Sequence, residues 1–128
     1  MQAQPVFDAL VKQSDHVVRA EVVERGRCVR MEDGVTYCTY RCVVKEVFKG
    51  KLIVNDTILV EVTEYGMVPL GGKLTDDTTR ICEPGREYVF FLRSSGKDGV
   101  MNEELYVPAD VVLGIQRVTE HLLWELRD

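Results

Sequence analysis

The run Tyr37–Lys51, YCTYRCVVKEVFKGK, constrains the fold more than any other part of the chain. Taken by twos, Cys38, Tyr40, Cys42, Val44 and Phe48 share one face, with Glu46 the single charged intruder. Thr39, Arg41, Val43, Lys45 and Val47 form the other, mixed face. Period-two alternation with β-branched and aromatic enrichment is the signature of a half-buried strand, and Lys49-Gly50-Lys51 ends it. A charge on the inward face implies a bulge at Glu46, because one extra residue exchanges the two faces. Such a strand is expected at the centre of a small, curled β-domain.

The neighbouring segments supply its partners. Pro5 to about Lys12 reads as a short helix, since proline is tolerated in a first helical turn. His16–Glu24 is the expected first strand, with Val18, Ala20 and Val22 on one face, and Arg25–Gly34 the loop into the long strand at 37–48. Further strands are expected over 57–63, 87–93 and 103–107. Val111, Ile115, Val118 and Leu122 then recur at helical spacing, which predicts an amphipathic C-terminal helix over 110–126 with Asp110 as its cap. This order fits one domain over 1–128: mostly β, a five-stranded antiparallel OB-type barrel with a short N-terminal and a C-terminal helix. That fold carries many functions, so it does not settle this one.

Composition narrows the classes. A chain of 128 residues is one domain with a real core. A net charge of −5 argues against a phosphate-tracking surface, so no nucleic-acid partner is expected. No window approaches the ~20 apolar residues of a membrane span, and membrane insertion is not expected. The start MQAQPVFDALVKQSD is not a signal peptide, so a secreted form implies a leader already removed or a Met1 added for expression. Catalytic patterns are sparse. Ser94 and Ser95 lack a G-x-S-x-G frame, His16 and His121 stand alone, and Glu103-Glu104 point to opposite faces of a strand. Gly71-Gly72 lacks the lysine and helix of a phosphate loop, and Asp76-Asp77 reads as a solvated loop. The expectation is a protein without catalytic activity, cofactor or metal.

Four cysteines, Cys28, Cys38, Cys42 and Cys82, indicate disulfides if the compartment is oxidising and buried thiols if it is not. With no C-x-x-C, zinc fits poorly. Of three connectivities, Cys28–Cys38 with Cys42–Cys82 is favoured. The first two flank a hairpin loop, while Cys42 lies on the core face and Cys82 precedes a strand of the same barrel. Asn55-Asp56-Thr57 is a glycosylation sequon at a turn. Two loops are candidate binding elements. The 64–81 connector carries an apolar tip of Met67, Val68, Pro69 and Leu70, and the 25–36 loop carries Arg25, Arg27 and Arg30. The tip would anchor a partner that the arginines steer, unless it folds back to plug the barrel.

Several segments resemble the netrin-like family, which includes the tissue inhibitors of metalloproteinases. They are Asp15–Val23 (DHVVRAEVV), Val47-Phe48-Lys49-Gly50, Cys82 followed by Pro84–Phe91 (PGREYVFF), and Tyr106-Val107-Pro108 before a helix. The resemblance spans about residues 5–127, and within the family Tyr40–Lys51 and the last helix are most similar to the laminin-binding N-terminal domain of agrin. It implies a secreted, disulfide-bonded, noncatalytic module that binds a matrix or cell-surface protein. The alternative it implies is a metalloproteinase inhibitor. Those inhibitors chelate zinc through an N-terminal cysteine, whereas no cysteine precedes Cys28 here.

Overall fold

The computed structural model describes residues 5–30, 36–64, 82–97, 104–110 and 113–127. The elements are α1 (Pro5–Gln13), β1 (His16–Arg30), β2 (Thr36–Lys49), β3 (Thr57–Glu64), β4 (Glu87–Lys97), β5 (Glu104–Pro108), β6 (Ile115–Arg117) and α2 (Glu120–Arg127). β1 pairs with β2 along its whole length and with β4 from His16 to Glu21. β2 pairs with β3, β3 with β5 and β5 with β4, so five strands close into a barrel. β3 and β5 run parallel, through Leu59↔Leu105 and Val60↔Tyr106. This corrects the expected all-antiparallel barrel to a mixed one. The reason is topological: an odd number of strands closed into a ring cannot alternate in direction throughout, so one neighbouring pair must be parallel.

Two cores lie on opposite sides of one wall. Inside the barrel, Val18, Ala20 and Val22 of β1 meet Cys38, Tyr40, Cys42 and Val44 of β2 and Tyr88, Phe90 and Leu92 of β4. Outside it, Val17, Val89 and Phe91 are sealed by Leu10 of α1 and Leu122 of α2. The Phe7 ring meets Phe91 edge-on at 6.1 Å between centroids. The tandem Phe90-Phe91 therefore serves both cores, one ring each. Such opposed burial is what strand alternation dictates when both faces of a wall are covered.

The long strand bends as its charge pattern requires. In the β1–β2 register Arg19 faces Glu46 and Ala20 faces Val44, which leaves Lys45 unopposed. The bulge thus lies one residue before the expected Glu46. Past it the faces exchange: Val47 packs on the inner cluster and Phe48 on the outer one. Phe48 accordingly leaves the face it shared on paper with Cys38 and Tyr40. Glu46 turns outward, where Arg127 of α2 donates to it from Nε at 2.8 Å and Nη2 at 2.7 Å, and Arg19 from Nε at 3.3 Å. Arg19 is also ion-paired with Glu87 of β4. Gly50, at φ +99°, ends the strand, and any Cβ there would collide with the His16 ring and the Asp15 carbonyl.

The C-terminal segment differs most from its sequence pattern. Within the predicted helix over 110–126, the described residues from 113 onward form a turn, a short strand and an eight-residue helix. Asp110 begins none of the described helices; its Oδ1 accepts the Leu113 N–H at 2.8 Å. The cap is Thr119, whose Oγ1 accepts the Leu122 N–H at 3.1 Å. Ile115 pairs with Phe90 in β6 and leans on the inner cluster, while Leu122 is buried in the outer one. Gly114 allows this. Its backbone passes so close to Pro108 and Asp110 that an added Cβ would lie within 2.6 Å of both. Spacing alone could not separate the two outcomes, because Ile115 and Leu122 are buried in either.

Truncating either aromatic of the shared wall should cost about 3–5 kcal/mol. Phe90→Ala opens a void in the barrel, whereas Phe91→Ala unseats α1 and α2, so only the second should raise amide exchange in Glu120–Arg127 beyond the global loss. The Glu46 carboxyl is held below its ordinary value of 4.5, first by the hydrogen bond from Arg127 and then by Arg19, against the opposing effect of burial. Its contribution is therefore complete above that value and is lost as pH falls through the lowered folded-state one. Melting temperature followed from pH 7 downward should drop more steeply below about pH 4.5 for the native chain than for Glu46→Gln.

Candidate binding face on the β1–β2–β3 sheet

Beyond Glu21 the first strand parts from β4 but continues to Arg30 against β2. The segment expected as a loop from Arg25 is thus strand for six more residues, Arg25–Arg30. With β2 and β3 it forms a three-stranded extension of the barrel. Register shifts between Val22 and Glu24, and between Arg25 and Cys28, add residues to β1 there, which twists the ribbon. Cys28 and Cys38 are register partners, their Cα atoms 4.1 Å apart, and their sulfurs are bonded. A cross-link closing a short hairpin stabilises by about 2–4 kcal/mol and fixes the strand pair that carries the face.

An open groove of about 470 Å³ runs over this extension, lined by Arg27, Val29, Tyr37, Thr39 and Glu61. Its residues sit at the parity opposite to the buried Cys38, Val60 and Val62, so it lies on the outer side of the wall. The register builds it row by row: Val29 faces Tyr37, and Thr39 faces Glu61. Val29 is 42% exposed, an apolar group left in water beside an aromatic ring. Arg27 and Glu61 put opposite charges on the two flanks. Neighbouring charges are engaged within the sheet: Arg41 donates to Glu24 at 3.3 Å, and Lys45 lies 3.8 Å from Glu21.

Of the expected binding residues, Arg27 lines the groove. Arg25 is tucked in, its Nη2 donating to Cys38 Sγ at 3.4 Å, and Arg30 ends β1. Met67, Val68 and Leu70, with the rest of the 65–81 connector, lie outside the described residues. So do Gly71-Gly72, Asp76-Asp77 and Glu103. Asn55 is exposed in the β2–β3 turn at φ +77°, a conformation asparagine tolerates better than most residues. Its N–H is held by the Val44 carbonyl at 2.7 Å. Val29, Tyr37, Thr39 and Glu61 were not anticipated. The signal available was the shared parity of Tyr37 and Thr39 on the mixed face of β2.

The cysteines divide. The Cys28–Cys38 pairing expected from the hairpin is present, but the second expected pair is not: Cys42 and Cys82 are buried thiols in the barrel. Cys42 registers with Val22 and Ile58, so Cys82 is opposite it in neither ladder. Each fills the core as a small apolar side chain. Burial pushes the Cys42 thiol up to about 12, which leaves no thiolate at neutral pH.

His16 and Ser94, 78 residues apart, meet with Nε2 and Oγ 3.3 Å apart, and Asp15 Oδ2 accepts the Ser94 N–H at 3.1 Å. The ring stands edge-on to Tyr106 at 5.3 Å, while Nδ1 is buried without a hydrogen-bond partner. A Ser–His pair becomes a nucleophile when a third group orients the imidazole. Here no such group reaches Nδ1, and the contacts pin the start of β1 to β4. Among the described residues no cluster of three or more His, Cys, Asp or Glu could hold a metal ion. No described helix is long and apolar enough to cross a membrane.

No protein-family model matches this chain, and no curated protein matches it. Fold and site together define a closed mixed β-barrel with one wall covered by helices and another wall bearing an open groove.

In denaturant without reductant, alkylation should label two thiols, Cys42 and Cys82, and four after reduction. The folded protein should label neither. Four thiols labelled before reduction would remove the hairpin cross-link, and none would restore the second disulfide.

Proposed function

We propose that this chain is a noncatalytic, secreted protein-binding module on an OB-type barrel of the netrin-like class. It would bind a matrix or cell-surface protein through the outer face of β1, β2 and β3. The groove bounded by Arg27, Val29, Tyr37, Thr39 and Glu61 carries this reading. OB-type barrels use the face of strands 2 and 3 as their binding platform, and the groove falls on those strands and the adjoining β1. Nucleic acid is disfavoured there, because Glu61 stands in the groove and the chain carries −5 overall. A protein partner suits the mixture of a half-buried ring, an exposed valine and two opposite charges, since interfaces combine aromatic or arginine anchors with a polar rim. The Cys28–Cys38 disulfide and the exposed Asn55 sequon support an oxidising, secretory environment.

The test is capture from a laminin-rich matrix extract, with a metalloproteinase inhibition assay alongside. Tyr37→Ser and Val29→Asp should each weaken capture at least tenfold, or about 1.4 kcal/mol, while melting stays within a few degrees because both side chains face outward. Undiminished capture by both variants would exclude the groove as the binding face.

A further inference from the structure

The Cys28–Cys38 bond has two unlike ends. Cys38 is fully buried in the inner core, whereas Cys28 is exposed on β1. A thiolate must reach a disulfide sulfur from solvent, so the exposed end receives the attack and the buried end is the leaving group. Burial alone makes a poor leaving group, as Cys42 shows on the same face of β2, its thiol pushed up to about 12. Cys38 has a cation beside it: Arg25 Nη2 donates to its sulfur at 3.4 Å. A guanidinium next to a sulfur stabilises the thiolate, and a stabilised thiolate departs faster. The bond also stands where the sheet depends on it. Pairing of β1 with β4 ends at Glu21, and its ladder with β2 is interrupted between Arg25 and Cys28. Arg27 and Val29 flank Cys28, and Tyr37 and Thr39 flank Cys38, so four of the five groove residues adjoin the bonded cysteines in sequence.

We propose that Cys28 is a thiol–disulfide exchange site for a small soluble thiol, and that opening the bond there switches off the binding face. The exchange stands on this geometry; the switching rests on the protein-binding reading above. In the first step the incoming thiolate attacks Cys28 Sγ, a sulfur–sulfur bond forms between them, and the Cys28–Cys38 bond breaks. Its electron pair leaves on Cys38 Sγ, beside the Arg25 guanidinium. Cys38 can attack back and expel the small thiol, which restores the cross-link. Otherwise a second thiolate attacks the sulfur of the bound small thiol, releases the symmetrical small disulfide and leaves Cys28 as a thiolate. The two small thiols together lose two electrons, and the protein disulfide gains the same two. From Arg25 to Arg30, β1 then keeps only its interrupted ladder with β2. A strand held on one side that way is marginal in water.

The probe is reduced glutathione, added to the folded chain without denaturant, with adducts mapped by mass spectrometry after acid quenching. The mixed disulfide should form on Cys28 in preference to Cys38 by about tenfold or more, with Cys42 and Cys82 unmodified. Arg25→Gln should slow opening about tenfold, and Arg25→Lys should restore most of the rate. In denaturant, where no fold holds residue 25 near the sulfur, all three chains should open alike. Adduct chiefly on Cys38, or opening of Arg25→Gln as fast as that of the native chain, would overturn the exchange site. Cys28→Ser fixes the opened state without an adduct. It should raise amide exchange over 24–30 and 36–40 but not over 89–92, and weaken matrix capture about tenfold. An equal rise over 89–92 would make the bond a support of the whole barrel and overturn the switch. Undiminished capture by Cys28→Ser, while Tyr37→Ser weakens it, would overturn the switch and leave the groove standing. If no chain captures a matrix partner although Cys28 takes up glutathione, the binding reading and its switching fall while the exchange site stands.

Discussion

The extra residue at Lys45 is the constraint on which the architecture turns. Without it, Glu46 would continue the inward parity of Cys42 and Val44 and enter a barrel whose lining is almost wholly apolar. A carboxylate placed there would need a partner or would stay protonated. The bulge moves it to the outer face, where it holds Arg127 and Arg19. The same shift sends Val47 inward and Phe48 outward, beneath the helices. One unopposed residue thus closes the inner core, completes the outer one and ties α2 to the wall.

The first strand does two jobs in succession, and the change of partner between them creates the proposed binding face. Its first half is shared by β2 and β4, and this double pairing closes the ring. Its second half keeps only β2, and the resulting extension is the part of the sheet that leaves the barrel. Such a ribbon would twist and fray if held by hydrogen bonds alone, since short two-stranded arms are marginal in water. The Cys28–Cys38 bond and the third strand, β3, counter that. A groove needs a wall that stays put, and here the cross-link joins the two strands from the opposite face, between the lining residues in sequence.

Much of the fold was legible because strand alternation is a local signal. The inward set on β2, the inner trio on β1 and the five barrel strands all follow from period two. What failed needed information from elsewhere in the chain. Val111, Ile115, Val118 and Leu122 fit a helix, but β4 offered an unfilled edge to Ile115, and the tight passage at Gly114 accommodates a bend better than a continuous helix. The parallel β3–β5 contact is invisible in any one segment, yet it follows from counting five strands in a ring. Cys42 points inward, as expected, and Cys82, expected only to precede a strand of the same barrel, is buried in the same core, but sharing a core does not bring two sulfurs into bonding geometry. The groove was not legible, because its five residues come from three strands and only register assembles them.

Where the helices sit decides which wall can act. The outer parity of the β1–β4 wall is apolar, with Val17, Val89 and Phe91, and α1 and α2 bury it. The outer parity of β2 and β3 includes Tyr37, Thr39, Arg41 and Glu61, none of them fully buried, beside the apolar Leu59, which is buried. A helix laid over that second wall would trap charged and hydroxyl groups without water, at a cost in each desolvated group. The sequence therefore assigns the described helices to one side by hydrophobicity and gives the other a largely polar lining. A wall with one half-buried ring and one exposed valine among charged and hydroxyl groups is poor surface for a core but suited to an interface that forms and dissolves. The asymmetry that stabilises this barrel on one side leaves the proposed binding surface on the other.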